Sequence, residues 1–133
     1  MSGERVAILR ERAHRLLSLA RELAGRGMLD VAAFMAEQAA QLRLKASLLR
    51  LTGDTPRLHS LRELIGLLSQ RLLEAGYREE ALQLRSFSRE HRGSLVDLED
   101  AYTAARYALY QVDPETVERL FKLLEEVEKR VLG

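Results

Sequence analysis

Arg106 stands among tyrosines in the stretch AARYALYQVDPE, residues 104–115, with Tyr107 beside it and Tyr102 and Tyr110 four residues away on either side. Residues four apart share a helix face, and helical projection also brings Glu99 and Thr103 next to the arginine. Two kinds of chemistry are open to it: an ion pair with Glu99 or Asp113, or a contact to a ligand in a groove shared with Tyr102 and Tyr110. Gln38 and Lys45 form a second grouping, seven residues apart in AAFMAEQAAQLRLKASLL and on the same side as Phe34, Leu42 and Leu49. An ammonium buried without a partner is costly. Lys45 must therefore reach a carboxylate, extend to solvent, or meet a ligand such as a phosphate.

The three histidines are scattered. His59 follows Pro56 in TPRLHSLRELI, where Ser60 is placed to cap a helix, and a hydrogen-bonding structural role suits it. His14 lies between Arg12 and Arg15 on an outward helix face. With no cysteine and no His-x-x-x-His or Glu-x-x-His pairing, a zinc or di-iron centre is not expected, and no metal or other cofactor is assigned. Neither a glycine-rich phosphate loop nor a nucleophile-elbow sequence is present. A conventional kinase or hydrolase has no support.

These residues need a scaffold, and composition restricts it. A chain of 133 residues is the size of one domain, able to bury about two-thirds of its unfolded surface. With 47% hydrophobic and 31% charged residues it reads as globular and not disordered. A net charge of +1 excludes an overall basic field, so any RNA contact must be local. No run reaches the roughly 18 apolar residues of a membrane span, and the first residues, MSGERVAILRERAHR, do not resemble a secretory signal. Residues 1–133 are expected to form a single cytoplasmic domain. The preference for Arg over Lys and the abundance of Glu fit a thermophilic source.

Hydrophobic periodicity is helical throughout. Val6, Leu9, Ala13, Leu16, Ala20 and Leu23 define a first helix ending near GRG. Asp30 is the expected N-cap of a second, from about Val31 to Leu51, stopped by Thr52 and Gly53. That helix carries Val31, Phe34, Met35, Leu42 and Leu49 on one side and Ala33, Ala40, Leu44 and Leu51 on the other, a pattern suited to the middle of a bundle. A third helix, from about His59 to Ala75, has Leu61, Leu64, Ile65, Leu68 and Leu72 inward and ends at Gly76. Residues 78–91 form a shorter polar helix interrupted by Arg92, Gly93 and Ser94. Leu95, Leu98, Tyr102, Ala105 and Leu109 mark the next. Asp113 as N-cap and Pro114 at the first helical position start the last, which buries Val117, Leu120, Leu124, Val127 and Val131. The expected fold is all-α, an up-and-down antiparallel bundle of five to six helices.

In this order the motifs resemble the HEPN family, small all-helical domains associated with nucleotide binding. Phe34, Gln38, Ala39, Lys45 and Ala46 match its F..QQA.EK.LKA helix; His59, Ser60 and Leu61 match the HSL that opens its third helix; Arg106 and Tyr107 match a late RY pair. The resemblance covers nearly the whole chain. It implies a homodimeric bundle of the kind encoded beside a minimal nucleotidyltransferase in toxin–antitoxin-like systems, with a nucleotide or RNA as ligand.

Active members carry an Arg, four to six residues, then a His. There the arginine stabilises charge on a phosphate and the histidine moves the proton of the RNA 2′-hydroxyl or of the leaving oxygen, without a metal. Here Gln111 and not His follows Arg106, and an amide cannot titrate. Arg85 and His91 in RSFSREH satisfy the pattern as text, but an unbroken helix would turn their side chains about 120° apart. The resemblance therefore implies a binding protein with a degenerate site, using Arg106, Tyr107, Tyr102, Tyr110, Gln111, Lys45 and Gln38. A metal-independent ribonuclease built on Arg85 and His91 is the alternative, and a plain interaction bundle the second.

Overall fold

The computed structural model describes residues 2–104 and 114–132, with backbone alone for Ser2, residues 101–104 and Leu132. Six helices follow in order: α1 (Ser2–Gly25), α2 (Leu29–Thr52), α3 (Leu61–Glu74), α4 (Arg78–Glu90), α5 (Arg92–Ala104) and α6 (Glu115–Leu132). No strand occurs among the described residues, and no helix among them is long and apolar enough to cross a membrane.

Two sharp turns make the hairpins. At the end of α1 the Met28 amide donates to the Leu23 carbonyl and the Gly27 amide to Ala24. Tyr77 and Gly76 repeat this onto Leu72 and Leu73 at the end of α3. This double bond pattern needs a left-handed residue at the turn, supplied by Gly27 at φ 80° and Gly76 at φ 93°. The turn also decides where α2 begins. Met28 is already in the cap position, its carbonyl accepting the Ala32 amide, so the helix starts before the expected Asp30 cap. Asp30 lies instead in the first turn, accepting the Val31 amide at 2.8 Å where negative charge suits the helix dipole.

The α2 helix occupies the middle, packing against α1, α3, α5 and α6. Ala33, Ala40 and Leu44 are buried as the second stripe requires. The first stripe is half-buried from Val31 to Leu42 and fully buried at Leu49. All five inward residues expected of α3 are in the core, as are Val117, Leu120, Leu124 and Val127 of α6. The α3 helix starts at Leu61, leaving His59 in the preceding loop.

Two further boundaries differ from expectation. Arg92, Gly93 and Ser94 do not interrupt the chain but open α5; the break is His91 alone, the C-cap of α4. Pro114 directly precedes α6, its carbonyl accepting the Glu118 amide at 3.0 Å, one position earlier than the first helical turn. Asp113 lies outside the described residues.

Polar ties fix α6 to the bundle. Arg43 of α2, with no solvent exposure, donates to both carboxylate oxygens of Glu128, at 2.6 and 3.3 Å, and to Ser47 Oγ at 2.9 Å. Its Nε has no partner among the described residues. Arg21 of α1 pairs with Glu118, His14 sets its ring edge-on to Phe121, and the Tyr77 hydroxyl donates to the Val131 carbonyl.

Candidate functional site

One side of α2 carries Glu37, Gln38, Gln41, Leu42 and Lys45, positions one, three or four apart that a helix places along a single flank. With His59 from the α2–α3 loop and Glu99 from α5 they line a groove of about 600 Å³. The loop is set by Ser60, whose hydroxyl oxygen accepts the Glu63 amide to cap α3 and whose O–H donates to Glu99 Oε1 at 2.7 Å. Arg62 completes this wall, donating to Glu99 from Nε at 2.7 Å and from Nη2 at 3.2 Å. Glu99, named in the sequence as a partner for Arg106, is thus held by α3.

Glu37 is 4% exposed. Its Oε1 accepts from the Gln38 amide at 2.8 Å and its Oε2 from the Gln41 amide at 2.6 Å. Burial pushes the Glu37 carboxyl above the ordinary glutamate value and nearby Glu99 adds to this, while the two amides and the Lys45 charge oppose it. A desolvated carboxyl facing a groove is a recognised mark of a functional position. Lys45 is half-buried and makes no ion pair among the described residues. It also borders a second depression of about 300 Å³ lined by Arg5, Ile8, Leu9, Thr55 and Pro56.

The structure brings together Gln38, Lys45 and His59, three of the residues singled out from sequence. Arg106, Tyr107, Tyr110 and Gln111 lie outside the described residues, as does the side chain of Tyr102. Glu37 and Gln41 were missed, although their spacing of four beside Gln38 was a signal. Glu99 as a groove residue had no local signal, since its partners lie on α3.

Arg85 and His91 do not line a common groove among the described residues. His91 packs against Phe87, ring centroids 4.4 Å apart, and borders an open groove of about 540 Å³ between α4 and α6 together with Arg119. Arg85 is exposed and is not part of that lining. Among the described residues no group of His, Asp and Glu could hold a metal ion.

A helical bundle whose central helix turns a row of polar side chains into a flanking groove defines a small helical domain with a candidate ligand site. The chain belongs to the HEPN family, whose domain model matches residues 6–133. None of the curated proteins matches it.

Proposed function

We propose that this HEPN protein binds a nucleotide, free or as part of RNA, in the groove between α2, α3 and α5, and does not cleave it. The observation that carries this reading is the Lys45 ammonium, without an ion pair among the described residues, in a groove that is also lined by amide and carboxyl groups. An ammonium suits a phosphate, and hydrogen-bonding side chains suit a base. Arg106, Tyr107, Tyr102, Tyr110 and Gln111 are assigned to the same binding role from the family pattern. The absence of catalysis rests on Gln111, which occupies the place of the family's proton-transferring histidine and cannot titrate.

Dimers are common in the family, and we assign this chain to a homodimer working beside a nucleotidyltransferase in a toxin–antitoxin-like pair. Calorimetric titration with ATP and GTP tests the binding role. Saturable binding is expected below millimolar concentration, weakened about tenfold or more by Lys45→Ala, the loss of one charge-assisted contact. No binding up to millimolar nucleotide by folded protein would overturn it. Metal-free RNA degradation that His91→Ala abolishes would instead establish the ribonuclease built on Arg85 and His91.

A further inference from the structure

We infer that Glu37 reads the donor edge of a guanine base, which makes the groove's ligand a guanosine phosphate; this rests on the nucleotide reading above. The Gln38 and Gln41 amide nitrogens both point at the Glu37 carboxylate. An ionised carboxylate only accepts, so each amide must turn its NH2 toward it and its oxygen away. That end of the groove consequently offers mostly acceptors: two carboxylate oxygens, each with an acceptor site left beyond its amide bond, and two amide oxygens.

Glu99 offers less, because its Oε1 already accepts two bonds, from Ser60 and from Arg62 Nη2, and only Oε2, bonded to Arg62 Nε, has an acceptor site left. Guanine presents two adjacent donors, N1–H and the N2 amino group, whose parallel spacing matches a carboxylate. Its O6 can accept the second N–H of either glutamine. Adenine presents one amino group beside the N1 lone pair, and that lone pair against a carboxylate leaves a buried acceptor facing an acceptor. The low exposure of Glu37 sharpens the distinction, since water cannot repair a mismatched edge there.

The other end of the groove sets the length of the ligand. Gln38 and Lys45 are seven residues apart on one helix face, about 10 Å at 1.5 Å per residue. This is close to the reach from a purine edge to the phosphates of a nucleoside diphosphate. Lys45 is therefore placed for the anion while Glu37 reads the base. Lys45 and Glu37 thus offer charges of opposite sign to different parts of the ligand, the phosphate and the base.

The test titrates GDP, inosine diphosphate and ADP into the intact protein and its Glu37→Gln and Lys45→Ala variants. Wild type should bind GDP roughly ten- to hundredfold more tightly than ADP, with inosine diphosphate between them because it lacks the N2 donors. Glu37→Gln should weaken GDP and bring the GDP-to-ADP ratio close to one; Lys45→Ala should weaken both nucleotides. Equal binding of GDP and ADP by wild type, or a preference that survives in Glu37→Gln, would overturn the inference. The wild-type ligand series decides the matter even if Glu37→Gln does not fold. Binding of neither nucleotide would remove the nucleotide reading itself, whereas equal binding of both would leave that reading standing and remove only the role of Glu37.

Discussion

Arg43 carries a full charge to a point with no solvent exposure, and Glu128, 85 residues away, is what makes this tolerable. Breaking a buried pair from one side costs about 3–5 kcal/mol, because the remaining charge is left desolvated. Glu128→Ala is expected to lose an amount of that order in urea unfolding, while the double replacement Arg43→Met and Glu128→Leu should lose far less; equal losses would contradict the assignment. Glu37 gives a pH signature. Its folded carboxyl is raised above the ordinary value of 4.5, so between the two values the folded chain binds a proton that the unfolded chain has released. Stability contributed by this proton is present at low pH and falls as pH rises through the window up to the raised value. Unfolding free energies measured from about pH 4 to about pH 8 should therefore shift in favour of Glu37→Gln, relative to wild type, as pH rises. A difference independent of pH would contradict the buried carboxyl. Residues of this kind were hard to read from sequence. The α2 helix is apolar nearly all round, so periodicity marked Lys45 as the cation in need of explanation and passed over Arg43, whose partner lies on the last helix.

Helices end where a terminal residue can satisfy the last carbonyls, and glycines here report on that in opposite directions. Gly76 holds φ 93° in the turn that joins α3 to α4, a conformation that costs a side-chain-bearing residue about 1–2 kcal/mol. Gly66 lies inside α3, exposed, with nothing within 4 Å of where a Cβ would stand. Gly76→Ala should thus lower stability by about 1 kcal/mol or more, and Gly66→Ala should raise it by about 0.5–1 kcal/mol. Thermal unfolding of the two variants checks the opposite signs; a shift in the same direction would show that the turn does not depend on Gly76. The existence and inward faces of the helices were legible because α3 and α6 repeat leucine and valine at strict helical spacing. Their boundaries were less so. Asp30 looked like a cap, but the α1–α2 turn closes through backbone bonds to Leu23 and Ala24 and hands the cap position to Met28. Arg92, Gly93 and Ser94 looked like a break because glycine disfavours helix, yet Leu95 and Leu98 bury against the core and hold those residues helical.

At the scale of the molecule, α2 is both the structural centre and the wall of the candidate site. Its alanines let α1 pack close on one side, while Glu37, Gln38, Gln41 and Lys45 face the groove on another. The all-helical bundle was readable from sequence, and so was the shared side of Gln38 and Lys45, since spacing on one helix was sufficient; His59 was read as a structural residue, and its place beside them depends on the α2–α3 loop. The opposing wall was not readable, because Glu99 reaches the groove only through the packing of α5 and its bonds to Ser60 and Arg62. The central claim is that nucleotide binds along this side of α2. The most direct test is a backbone amide NMR titration of the protein with GDP, read residue by residue. The largest shifts should fall on residues 37–46, His59, Ser60 and Glu99, and Lys45→Ala should suppress them. Shifts confined to the α4–α6 face around His91 and Arg119, or none at saturating nucleotide, would contradict it.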